Sequence, residues 1–526
     1  MDPDPNPFYH LSTSNAVPDP LEAEAAQSEL DKIQLLLRKL EKQQQLLRTV
    51  LSPLRRIPLE VLGEIFSFTL PVIQDEDFQR ALINLCLVCR RWRDAAFAVP
   101  QFWTHLLLDL GRTSIRYDDA QLWLSLSGNL PASLTIKAAY HDDCSIGQEG
   151  CELANDALVK LLMEGPPLDH ISLHCTSSNC FRKLVAMIKL QPLEKRRSWD
   201  LIRSLELVVH REWREYFQPG ENIFVNVPPV TSFSLHLPSR DSAFPDFDEE
   251  DQAVESLRIP ESLLTRLKTF ELGCDWDGSL ILSILNSCTN VEVLTLDSQM
   301  TCLDYLETEL YRQANEVGIA LPNVRTLRLR HLHPGSADFL PLIKTPSLVE
   351  LDISFKTYEK DPTAFMYRYS SDNSFSGFFL DFLDKSRIPE GLRRLRIHSV
   401  IMSNEELQTS FACITSLTHL TLDDVDFKPN LLDALGKNPE DYIYLPNLDT
   451  LELLHLDADF PVKNVYDFVK ARLVLPWTPD LAIPVCEIKK LRISQRKPDT
   501  APTFERTYEA WLFDAVYHMD ASMEFV

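Results

Sequence analysis

The nine residues Leu321-Pro322-Asn323-Val324-Arg325-Thr326-Leu327-Arg328-Leu329 return in kind as Leu445-Pro446-Asn447-Leu448-Asp449-Thr450-Leu451-Glu452-Leu453. In each, Leu-Pro-Asn reads as the end of a loop entering a strand. The six residues that follow it carry the pattern L-x-x-L-x-L. Strand side chains alternate between two faces, so the last two apolar residues share one face and the residue between them points the other way. The pattern also begins at Pro131, Leu168, Ile202, Val230, Leu267, Val291, Leu348, Leu392, Leu417 and Ile488. That makes twelve copies in series. Spacings run from 24 residues, Phe270 to Leu294, up to 44, Leu351 to Leu395.

A single copy is a weak signal in an apolar-rich chain, whereas twelve in series predict a repeat architecture. This motif at a period of about 20–29 residues means leucine-rich repeats, each giving one strand of a curved parallel sheet. Many intervals here are longer and irregular, and segments such as Gly278–Ser287 and Phe375–Ser386 read as helices. The array resembles the degenerate leucine-rich repeats found behind F-boxes, including those of the expanded fungal set. The acidic run Asp246–Asp251 reads as a solvated loop. Thr503–Met519, with Phe504, Tyr508, Trp511, Leu512 and Val516, reads as a last helix capping the open edge of the final strand. Residues beside the second motif leucine are expected on the concave face. Arg328, Arg330, Arg396, His398 and Arg492 are thereby candidates to meet an acidic or phosphorylated segment of a substrate. Asp352, Asp423 and Glu452 lie between them, and ordinary solvated strand residues are the plainer reading.

Ahead of the array, Ile57–Leu106 predicts three short helices. Leu59, Leu62 and Phe66 make one apolar helix face, which Ile65 and Leu70 widen. Pro58 suits the first turn, Glu60 the positive end of the helix dipole, and Pro71 the stop. Asp75-Glu76-Asp77 starts a second helix with Leu82, Leu85 and Val88, and Arg90, Arg91 and Arg93 surround Trp92 in a third. About 50 residues make a small core, so the unit is expected to lean on a partner. The order Ile57-Pro58-x-Glu60-x-Leu62-x-x-Ile65-Phe66, then Leu85-x-x-Val88-Cys89-Arg90-x-Trp92 and Phe102-Trp103, resembles the F-box. Ile57 departs from the family's usual Leu, and the loop Val72–Phe78 is somewhat long and acidic. The resemblance implies docking on the SKP adaptor of an SCF-type, cullin–RING ubiquitin ligase through Pro58, Leu59, Leu62, Ile65, Phe66, Leu85, Val88 and Trp92. The repeats would then hold an unidentified protein substrate.

Residues 1–20 hold five prolines and little to bury, so a disordered tail is expected. From Leu21 to Leu51 neither proline nor glycine occurs. Leu30, Ile33, Leu37, Leu40, Gln44, Leu47 and Leu51 follow a 3–4 spacing, a coiled-coil seam with one polar interruption. Two readings stay open: a helix that dimerises the protein, and a single amphipathic helix, packed on its own chain or frayed in solution.

A net charge of −25 repels nucleic-acid phosphate and anionic membranes. The 11 cysteines, the acidic proline-rich start and the lack of a long apolar run fit free thiols in the cytoplasm or nucleus. Only 14 glycines, with no phosphate-cradling loop and no nucleophile elbow, argue against an enzyme and a cofactor. Cys86-x-x-Cys89 lacks a second pair, and His170, His174, Cys175 and Cys180 are poor complements, so no metal is expected. The fold class expected is α/β: disordered 1–20, an amphipathic helix over 21–52, a three-helix F-box over 53–108, and an irregular leucine-rich-repeat solenoid over 109–526. The function expected is a substrate-recognition adaptor. Its rival is a non-ligase interaction scaffold dimerised by the N-terminal helix.

Overall fold

The computed structural model describes residues 8–14, 16–112, 116–138, 151–192, 197–213, 222–239, 257–298, 308–332, 334–355, 375–387, 391–436, 444–457, 459–474, 486, 488–496 and 520–525. It divides into two compact units, Met1–Phe102 and Trp103–Val526.

The first unit opens with the short helix α1, Tyr9–Thr13, and the long helix α2, Pro20–Val50. Asp19 caps α2 in a reciprocal pair with Glu22: each side chain accepts from the other's backbone N–H. None of the residues of α2 is buried. Three helices follow: α3, Leu59–Thr69, α4, Glu76–Val88, and α5, Arg90–Phe97. Pro58 sits at the N-cap of α3, one position earlier than the sequence suggested. Leu70 is extended ahead of Pro71, as a residue before proline must be. Asp75 caps α4 by accepting from the N–H groups of Asp77 and Phe78, both at 3.0 Å.

The second unit is built on one parallel sheet. Its strands are β1 His105–Asp109, β2 Ser133–Lys137, β3 His170–Ser177, β4 Ser204–Glu212, β5 Ser232–His236, β6 Thr269–Gly273 and β7 Val293–Asp297. They continue with β9 Thr326–Leu332, β11 Glu350–Phe355, β12 Arg394–Ile401, β13 His419–Asp426, β14 Thr450–Leu456, β15 Lys490–Gln495 and β16 Asp520–Phe525. These 14 strands lie in chain order. A separate two-stranded ribbon pairs β8, Ile319–Ala320, with β10, Ile343–Lys344. All twelve L-x-x-L-x-L copies enter strands, in one register. Leu327, Leu351, Leu395, Leu420, Leu451 and Leu491 form one row, and Leu329, Ile353, Ile397, Leu422, Leu453 and Ile493 the next but one. Every member of both rows is buried.

Two strands go beyond the motif count. β1 pairs with β2, and β16 pairs with β15. The helix expected over Thr503–Met519 and the acidic run Asp246–Asp251 lie outside the described residues, and the element paired with β15 is a strand. Helices return the chain between strands, among them Gly278–Asn286 and Phe375–Ser386, where the sequence placed them. Each repeat buries two or three apolar side chains, each contributing about 1.5–3 kcal/mol. Phe224, Phe233 and Phe270 continue this core through ring contacts at 6.0 and 6.3 Å.

Successive repeats are also tied by asparagines just before the motif. Asn290, Asn323 and Asn447 donate side-chain N–H to the carbonyls of Thr265, Thr289 and Thr415, at 2.7–2.9 Å. At the other end of the strand, His331, Ser399, Asp424 and His455 all have positive φ, 47–58°. Each lies two residues after the last apolar residue of its motif. The register slips beside His331 and His455, so this left-handed residue acts as a bulge that bends the end of the strand.

Candidate functional site

The helices α3, α4 and α5 pack around Leu62, Phe66, Phe78, Leu82, Ala95, Ala96 and Phe102, all buried. The Phe66 and Trp92 rings lie 5.1 Å apart, and Phe78 meets Phe102 edge-on at 6.4 Å. Gly63 lets α3 approach the end of α5, because a Cβ there would stand 3.5 Å from the Ala95 carbonyl oxygen and 2.6 Å from Cγ2 of Val99, just beyond the helix. Arg91 donates to the Ile57 carbonyl and ties the start of the unit to α5.

This packing sorts the residues singled out from sequence. Leu62 and Phe66 are 1% exposed and hold the unit together, so a partner cannot touch them in this conformation. Leu59, Leu85 and Trp92 are half-buried, and Pro58, Ile65 and Val88 are exposed. Reading α3 as one apolar face missed a second stripe at helical spacing. Val61, Ile65 and Phe68 stand opposite the buried face, with Phe68 83% exposed. Val72, Ile73, Ile83 and Leu87 add exposed apolar surface from the following loop and α4. The signal was the recurrence at 61, 65 and 68, masked because α3 is apolar nearly all round.

Residues 54–109 match the F-box-like family. The match covers the three helices and runs on into β1. No curated protein matches the chain. Among solved structures, an internalin (inlF) from Listeria monocytogenes is similar over 70% of this chain and 86% of its own, at 12% identity and a TM-score of 0.27. That likeness is too distant to bear on the chain, and the repeat fold rests on the strands themselves.

The second candidate surface is the open face of the sheet, where the residues between the motif leucines emerge. One register row runs Thr135, Ser172, Glu206, Ser234, Glu271, Thr295, Arg328, Asp352, Arg396, Thr421, Glu452, Arg492. The candidate bases do share a face, but several already have acidic partners. Arg328 bonds Glu350 at 3.2 Å and Arg330 bonds Glu271 at 3.3 Å. Arg396 spans Asp352 at 3.1 Å and Asp423 at 2.7 Å, and His455 Nδ1 meets the other oxygen of Asp423 at 2.7 Å. Burial would raise the Asp423 carboxyl, but hydrogen bonds from His455 and Arg396 outweigh it and hold it below its usual range. His398 shares a hydrogen bond with Ser354 at 2.9 Å, and burial keeps it below the ordinary histidine range. A single-residue reading of Arg328, Arg330 and Arg396 missed these partners because they lie one or more strands away.

The half of the face nearer β1 differs in chemistry. His105 and His170 hydrogen-bond Ser133 and Ser204 at 2.8 and 2.9 Å, and the His174 and His210 rings stack at 5.7 Å. Burial lowers all four histidines, which favours the neutral form at pH 7. Among the described residues, no group of three or more His, Cys, Asp or Glu could hold a metal, and no helix is long and apolar enough to cross a membrane.

Proposed function

We propose that this chain is a substrate-recognition adaptor of an SCF-type ubiquitin ligase. The observation that carries the reading is the F-box-like stretch 54–109, whose helices bury one apolar stripe and expose another. A small unit that leaves Phe68, Val61, Ile65, Leu87 and Val88 in water is built to be covered by a partner. The SKP adaptor is that partner in this reading, and the cullin–RING assembly follows through it. In this reading the half-buried Leu59, Leu85 and Trp92 and the exposed Pro58 also contribute to the contact, whereas Leu62 and Phe66 hold the unit together from within. Ubiquitin-transfer chemistry belongs to other subunits, and this chain supplies proximity. The open face of the repeat sheet holds the protein to be modified, with its ion-paired rows discriminating partners by charge pattern.

The test is capture of the SKP adaptor by the full chain. Phe68→Ser with Leu87→Ser should weaken capture by about 2 kcal/mol or more, with the circular dichroism spectrum unchanged. Undiminished capture by the folded double variant would refute this docking face. A wild-type chain that captures no SKP adaptor or cullin would favour the scaffold reading, to which the exposed seam of α2 lends support.

A further inference from the structure

Helix α2 is a 31-residue rod, roughly 46 Å long at about 1.5 Å per residue. Its seam residues Leu30, Ile33, Leu37, Leu40 and Leu47 are 48–63% exposed, so nothing in the described chain covers them. Its charge is sharply divided. Residues 20–31 hold Glu22, Glu24, Glu29 and Asp31 and no base. Residues 32–51 hold Lys32, Arg38, Lys39, Lys42 and Arg48 against the single acid Glu41.

We propose that α2 pairs antiparallel with the α2 helix of a second copy of this chain, overlapping it end to end. Two features select that arrangement, and the seam is compatible with it. Side-by-side parallel pairing would set acid against acid and base against base, whereas antiparallel pairing sets the acidic half on the basic half. Opposed helix dipoles favour the same sense. Full overlap also places Pro20 opposite Val50 of the second copy, and in that register the seams coincide. Leu30 then meets Leu40, Ile33 meets Leu37, Ala23 meets Leu47, and small Ala26 faces Gln44, the one polar seam residue. The acidic stretch 22–31 lies along 39–48, which contains Lys39, Lys42 and Arg48 and one acid, Glu41, opposite Glu29. The pairing goes beyond the adaptor reading and does not depend on it, because no residue of α3–α5 takes part.

The test uses the full-length chain. Sedimentation equilibrium at tens of micromolar should give twice the monomer mass, and Leu30→Glu with Leu37→Glu should give the monomer. Reversing Glu22, Glu24, Glu29 and Asp31 to Lys should weaken the dimer at least tenfold. Adding Lys39→Glu, Lys42→Glu and Arg48→Glu should restore it, a rescue that a merely misfolded variant would not show. Orientation is read by mixing an Ala26→Cys chain with a Gln44→Cys chain under oxidation and identifying the linked peptides by mass spectrometry. Linkage of position 26 to position 44 supports the proposal. Linkage of each position only to itself, or a wild-type monomer, overturns it.

Discussion

The two units dispose of their apolar side chains in opposite ways. Of the 27 large apolar residues exposed among the described residues, only Leu122, Leu130, Leu190, Leu201, Val225 and Val317 belong to the repeat unit. The other 21 lie in the first 102 residues, most of them on α2 and the three-helix unit. The larger unit is thus finished as a folded object, and shows the solvent polar and ion-paired side chains. The smaller one leaves hydrocarbon in water. If the proposed adaptor reading holds, affinity in the first unit should come from burial, and in the second from the matching of charge and hydrogen bonds.

The contrast is sharpest within one turn of α3. Phe66→Ala should destabilise the three-helix unit by about 3–5 kcal/mol, read by denaturant unfolding. Phe68→Ala, two residues on, should change stability by no more than about 0.5 kcal/mol while weakening adaptor capture. Equal losses of stability would abolish the distinction between inward and outward stripes. Phe270→Ala, in the repeat core, should match Phe66→Ala in size.

A smaller effect is expected at Asp338, in the segment Pro334–Leu342 of the repeat unit. Burial pushes its carboxyl up to about 6, and its Oδ1 is buried without a hydrogen-bond partner. An acid whose pKa is raised on folding binds its proton more tightly in the native state. Stability from this group is therefore present below about pH 4 and falls as pH rises through about 6. Asp338→Asn should raise stability by about 1–3 kcal/mol at pH 7, with the gain vanishing near pH 4. A gain independent of pH would point to packing instead. Gly63→Ala should cost about 1–2 kcal/mol, because its Cβ meets Val99 unless α5 shifts. No cost would mean that α3 and α5 separate easily.

Much of the array was legible because each strand repeats one rule: apolar at two alternate positions, with an apolar residue three before. β1 obeys the rule as Trp103-x-x-Leu106-x-Leu108, but Trp103 had been read as the close of the F-box. β16 has Ala521 and Met523 in register with Leu491 and Ile493, and no leucine to announce it. The helix α2 was legible from its spacing alone. On α3, periodicity could not separate inward from outward stripes, since both are apolar; only packing against α4 and α5 decides. The partners of Arg328, Arg330 and Arg396 were hidden for a different reason. They come from other strands, 22 to 59 residues away, and no short window of sequence contains both members.

The asparagine steps at Asn290, Asn323 and Asn447 have a bearing on how such a chain can change length. Each reaches back one repeat and no farther, to a carbonyl that precedes the neighbouring motif. A whole repeat could therefore be gained or lost without leaving a distant bond unmade, because the new neighbour offers the same carbonyl at the same height. The three joints close intervals of 24, 33 and 31 residues, Phe270 to Leu294, Leu294 to Leu327 and Leu420 to Leu451, so material added between strands leaves the joint itself untouched. The array can in this way vary its reach and its face while keeping one rule of assembly.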